Sequence, residues 1–219
     1  MTMTRSKTWL AAATMAILAL SSIALSAAVA RPSDLTAAKI ATGRFHSLSV
    51  AGNAGYGLLP PGAPLHECIS HGADGAMGFH YINGSLLDIT LDPTKPEALV
   101  YTPDKHGKLH LGALEYVTFQ APWDAAHPGV MPELFGQMFM PVNALPNNNG
   151  LTVYNIPPFY MLHVWLWNSN PSGLFNPWNP SVSCAGATAS VGSHTASVDA
   201  TLASAKIAAF GCRIESNRA

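Results

Sequence analysis

The chain has 219 residues, with 11 Lys and Arg against 12 Asp and Glu, for a formal net charge of −1. Only 11% of residues are charged and no basic run occurs, which excludes a phosphate-tracking nucleic-acid surface. With 18 Gly, 17 Pro and 48% hydrophobic residues, the composition is that of a compact, loop-rich domain, and excludes a disordered one.

Residues 1–30 read as a signal peptide. Arg5 and Lys7 supply a positive start, Trp9 to Ala27 carry no charge, and Ala28-Val29-Ala30 has the small-x-small pattern of a cleavage site. The alternative is retention as an anchor, because the apolar stretch is almost long enough to span a bilayer. Cleavage would leave 189 residues (219 − 30), suited to one domain, with 9 basic and 12 acidic residues and a charge of −3. A periplasmic or secreted location is the expectation, with no membrane segment after cleavage.

The single globular domain is expected over 31–184. Ser33 can cap a helix, and Leu35, Ala38, Ala41, Phe45, Leu48 and Gly52 recur at steps of three or four, predicting one long helix to about Asn53. Gly52 to Gly57 and Pro60-Pro61 end it. Met77 to Ile82 reads as a strand, and Asn83-Gly84 as a turn. Leu86 to Leu91 carries Asp88 before Asp92-Pro93 opens another turn. Ala98–Tyr101 and Lys108–Phe119 form a predicted antiparallel hairpin about the polar turn at Pro103–Gly107. Pro122 to Pro141 reads as loop with a short helical piece near Trp123–Ala126 or Pro132–Phe135. Leu145 to Gly150 reads as a loop tip, and Phe159 to Trp167 as the last strand. Residues 185–219 shift to Ala, Ser, Thr and Gly, a weak helix or a disordered tail. Without βαβ alternation the fold class is α+β: an N-terminal helix packed on an antiparallel sheet, curled or barrel-like.

Three cysteines, Cys68, Cys184 and Cys212, favour crosslinking in an exported chain. Cys68–Cys184 is the preferred disulfide, since Cys212 lies in the compositionally distinct tail. A Cys184–Cys212 pair is the alternative. A zinc site at Cys68 lacks a second cysteine at short spacing.

Three ionisable residues interrupt apolar strands: His80 in GFHYI, Glu115 in ALEYV and His163 in MLHVW. Alternation places Leu111, Ala113, Glu115 and Val117 on one face, and Met161, His163, Trp165 and Trp167 on one face. If these faces share an interior, His80, Glu115 and His163 form a two-histidine, one-carboxylate set for a divalent transition metal, or a general acid/base group. The plain alternative is a hydrogen-bonded structural network. Trp165, Trp178 and Tyr81 are the expected aromatic lining of the adjoining pocket. No HExxH, GxSxG, Walker or EF-hand pattern occurs. Asn170-Pro171, Asn176-Pro177 and Asn179-Pro180 punctuate a rigid strap leading to Cys184, since proline holds its preceding residue extended and Asn bonds backbone two residues on.

The segments AKIATGRFHSL, AGYGLL, C-x8-MGFHYING, LDPTKPEALVY, KLHLGALEYV, WDAAHP, PELFGQMF and LHVW-x-W-x2-NPSGLFNPWNPSVSC resemble a family of small, uncharacterised exported bacterial proteins. The resemblance runs from about Ala38 to Cys184. It implies an envelope or secreted location and places Cys68, His80, Glu115, His163, Trp165 and Cys184 in the family pattern. It supplies no activity. Met161 departs from the acidic or aromatic residue usual before LHVW, and the Cys212 tail is extra. The functional expectation is small-ligand or metal binding. The alternatives are a metal-assisted or acid/base enzyme using the same residues, and a structural envelope module.

Overall fold

A computed structural model describes residues 32–60, 65–143, 156–185 and 187. The predicted leader, the 145–150 loop tip and nearly all of the tail, Cys212 included, lie outside the described residues. None of the described helices is long and apolar enough to cross a membrane.

The fold is α+β. Its frame is a curled six-stranded antiparallel sheet, with the N-terminal helical segment against one face. The strands are β1 (Ile69–Ser70), β2 (Ala76–Ile82), β3 (Ala98–Pro103), β4 (Leu109–Phe119), β7 (Met140–Val142) and β8 (Phe159–Val164), in the order β1-β2-β3-β4-β8-β7. A separate hairpin pairs β5 (Glu133–Leu134) with β6 (Gln137–Met138). The predicted β3–β4 hairpin forms, from Ala98↔Glu115 to Pro103↔Leu109.

The single long helix of the sequence reading is broken in two: α1 (Pro32–Thr42) and α2 (Leu48–Asn53), separated by a 3₁₀ turn at Gly43–His46. The apolar periodicity survives the break, because Ala38 and Phe45 are buried and Leu35 and Leu48 pack against the same core, although Ala51 rather than Gly52 is buried at its end. One local and one tertiary bond interrupt the helix. Thr42 Oγ1 donates back to Ala38 O at 2.7 Å, a bond that bends helices. The Phe45 carbonyl, which would continue the ladder, instead accepts the Tyr101 hydroxyl at 2.5 Å. Helix α3 (Gln120–Ala126) is the short piece expected after β4, whereas Pro132–Phe135 enters the small hairpin.

The two sheet faces bury different residues. Phe79, Tyr81, Leu99, Tyr101, Leu114, Tyr116, Leu162 and Val164 belong to the helix-side core. Ile82, Ala98, Phe119, Phe159 and Met161 pack on the opposite side with Leu59, Ile69 and Leu87. Two irregularities override simple alternation. The β1–β2 register slips between Ile69↔Gly78 and Ser70↔Ala76, and Gly78 has φ +120°, so Met77 packs opposite to Phe79. A Cβ on Gly78 would stand 2.5 Å from Tyr101 O, so only glycine fits this kink. On β4, Val100↔Ala113 and Tyr101↔Leu111 leave Gly112 as an extra residue. The face predicted for Leu111, Ala113, Glu115 and Val117 is therefore corrected: the bulge turns Leu111 into the helix-side core. The freed Gly112 carbonyl accepts both Trp167 N and Asn168 N at 3.0 Å, which fixes the exit of β8.

Beyond β8 the strap is built as its Asn-Pro steps predict. Asn170, Asn176 and Asn179 side chains each accept a backbone N–H two residues on, from Ser172, Trp178 and Ser181 at 2.9 Å. Asn179, fully buried, exchanges two backbone bonds with Ala76. The strap ends at the Cys68–Cys184 disulfide, 116 residues apart in sequence. A disulfide fits an oxidising compartment.

Candidate metal centre

Strand pairing brings the three polar residues together on the face away from the helices. Glu115 on β4 lies directly opposite His163 on β8. His80 on β2 pairs with Val100, and Glu115 with Ala98, so β3 runs between them. Small Ala98 lets the two long side chains meet above that strand, and His80 Nε2 lies 3.2 Å from Glu115 Oε2. The imidazole centroids of His80 and His163 are 6.3 Å apart. One ligand atom from each of the three residues lies within 4.8 Å of the other two. Metal–nitrogen and metal–oxygen bonds of about 2.0–2.2 Å put two ligands of one ion at most about 4.4 Å apart. The set is therefore only about 0.4 Å wider than the widest spacing one ion allows.

All three residues are buried: His80 and His163 are each 1% exposed and Glu115 5%. Their polar atoms are not used up. His80 Nδ1 and both ring nitrogens of His163 have no hydrogen-bond partner among the described residues. Burial drives the His163 pKa down to about 3, against the pull of Glu115, so the ring is neutral and its lone pair is available. For Glu115, burial alone would raise the pKa. The charge of His80, its hydrogen bond and His163 outweigh burial, and the carboxyl is held below its ordinary value. A neutral His163 ring beside an ionised Glu115 carboxylate matches the protonation states that metal binding requires.

His80 and Glu115 form the floor of a cleft walled by Ile69, Met77, Ile82, Leu87, Phe119 and Phe159. About 40 Å³ of it is open to the centres of water-sized groups. The expected aromatic lining is corrected here. Tyr81 alternates with His80 and points to the helix side, edge-on to Tyr101 at 4.8 Å. Trp178 packs against the outside of the cleft wall and stacks on His71 at 5.0 Å. Trp165 does reach the centre, from its other end: its ring lies 4.8 Å from His163 and its Nε1 donates to Asn176 O at 2.7 Å. Cleft walls are thus aliphatic with two phenylalanines, and tryptophan seals the strap side.

Glu97 is the site residue that the sequence reading missed. It is 1% exposed, lines the same cleft, and accepts the Val117 N–H at 2.9 Å. Burial first, then repulsion from Asp88 and Glu115, raises its pKa well above the ordinary value, against the pull of its backbone hydrogen bonds. Its only signal in the sequence is a glutamate abutting the apolar run ALVY directly after Pro96. The weaker histidine candidates lie elsewhere: His71 bonds Asp74 at 2.8 Å, and His110 bonds Asp104 at 3.0 Å on the exposed hairpin tip.

The chain matches no protein-family model, no curated protein and no solved structure, so the site is read from its own geometry.

Proposed function

We propose that this is an exported protein that binds one divalent transition metal ion through His80, Glu115 and His163, as a member of the family of small exported bacterial proteins that its motifs resemble. The observation that carries the reading is the unpartnered imidazole of His163. A buried ring with neither nitrogen satisfied costs the fold the desolvation of both, and a metal ligand is the role that accounts for it. The set is two imidazoles and one carboxylate, the hard-to-borderline donor chemistry of divalent iron, cobalt, zinc or manganese. Three protein ligands leave coordination positions open, and two of the three, His80 and Glu115, line the cleft, an arrangement suited to binding a further molecule.

The test is calorimetric and optical titration of the metal-free exported chain with Zn²⁺ and Co²⁺. One equivalent should bind, and free metal at about 100 times Kd should add about 2.7 kcal/mol to stability. His80→Ala and His163→Leu should each abolish that increment. An increment that survives both substitutions, or no saturable binding, sinks the proposal.

A further inference from the structure

Charge and shape of the cleft narrow what its open coordination positions accept. A divalent ion bound by one carboxylate and two neutral imidazoles carries one uncompensated positive charge. That charge faces a cavity whose walls are Ile69, Met77, Ile82, Leu87, Phe119 and Phe159. The second carboxylate of the cleft, Glu97, is directed to the backbone at Val117 N and is not a member of the three-residue set. An isolated charge in apolar surroundings is costly, so a monoanionic oxygen donor is favoured over a neutral or cationic head group. Behind the head group the surface is apolar apart from Glu97. The cavity is small, about 40 Å³, room for a few water-sized groups at roughly 10–15 Å³ each.

We infer that the cleft takes a short straight-chain monocarboxylate, its carboxylate completing the coordination of the ion on His80, Glu115 and His163 and its tail lying along Ile82, Leu87, Phe119 and Phe159. The inference rests on the metal reading above. The carboxylate neutralises the centre, and each methylene removed from water adds affinity until the tail reaches the mouth.

The experiment uses the full exported chain loaded with Co²⁺, whose visible bands report the coordination sphere. Acetate, propionate, butyrate, hexanoate, 1-butanol and butylamine are titrated separately. The expected result is a band change with carboxylates alone. Their dissociation constants should fall about fourfold per methylene from acetate to butyrate and level off by hexanoate. Butanol and butylamine should leave the bands unchanged at concentrations that saturate with butyrate. Cobalt binding with equal affinity for all four carboxylates, or with none, overturns the inference and leaves the metal reading standing. Butyrate binding of equal strength to the metal-free chain also overturns it, because the ion would then not be the receptor. Absence of cobalt binding fails the metal reading itself.

Discussion

The two faces of the sheet treat buried polar groups in opposite ways. On the helix side, three buried tyrosines donate to backbone carbonyls: Tyr56 to Pro96 at 2.8 Å, Tyr101 to Phe45 at 2.5 Å and Tyr116 to Pro93 at 2.6 Å. Tyr101 and Tyr116 join the sheet to a helical turn and a loop, Tyr56 joins two loops, and burial pushes the Tyr56 and Tyr101 pKa values upward, so they remain neutral donors. On the opposite side, three imidazole nitrogens are buried with no partner among the described residues. Those three hydroxyls are satisfied, whereas the Trp167 indole N–H, packed against the same core, has no partner among the described residues. His80 and His163 differ from Trp167 in that their unpartnered nitrogens lie around a buried carboxylate, Glu115, which is what the proposed ligand role rests on. That His80 and Glu115 line an open cleft fits that use.

The disulfide is where the comparison breaks most sharply, because Cys68 belongs to the helix-side core while Cys184 packs against both sides. Cys68→Ser with Cys184→Ser should cost about 4–5 kcal/mol on the chain-entropy estimate for a 116-residue separation. Thermal unfolding should show this as a fall of about 10 °C or more; a fall of a degree or two would mean the strap is held by its Asn turns alone. Glu97 gives a smaller effect where the two faces meet, since it lines the cleft and its field reaches Tyr56 and Tyr116. Its folded pKa is raised, so its contribution is fully present below the unfolded value near 4.5 and is lost as pH rises toward the folded one. His163 has the opposite sign: its depressed pKa gives stability that is present above about 6.5 and lost as pH falls toward about 3. Glu97→Gln should therefore match the parent near pH 4 and exceed it increasingly at higher pH, by at most about 1.4 kcal/mol per pH unit. Denaturant midpoints of the metal-free chain measured from pH 4 to 8 would show that divergence. Parallel pH profiles for the two proteins would mean that Glu97 is ionised in the fold.

Strand alternation made the centre legible before the fold was known, because Glu115 and His163 each interrupt an apolar run and the runs pair in register. The Asn-Pro strap was legible for a similar reason: proline and Asn act through the two residues beside them. Alternation failed where glycine sits inside a strand. Gly78 turns Met77 into the cleft wall and Gly112 turns Leu111 out of it, and interior glycine is the signal for such a bulge. Tyr81 reads as a pocket residue because an aromatic reads the same on either face; only its parity with His80 places it on the helix side. Glu97 was hidden because a charged residue after Lys95-Pro96 looks like a turn, and its burial depends on long-range packing that periodicity does not encode. The helix break at Gly43–His46 depends on a tertiary bond, Tyr101 to Phe45 O, 56 residues apart.

The finest test sets one face against the other with a pair of near-isosteric substitutions in the metal-free chain. Tyr101→Phe removes a hydroxyl and leaves the buried Phe45 carbonyl unpaired, which should cost about 1–2 kcal/mol. His163→Leu removes two nitrogens that have no partner, at similar volume and full burial, so no hydrogen bond is lost and polar desolvation is relieved. It should be neutral, or stabilising by up to about 1 kcal/mol. Urea unfolding with unchanged m-values would make the two numbers comparable. The asymmetry should then invert when Zn²⁺ is present, since the parent and Tyr101→Phe gain the metal increment and His163→Leu does not. Should His163→Leu cost as much as Tyr101→Phe without metal, the imidazole is a structural member of the core, and the contrast between the faces loses its functional meaning.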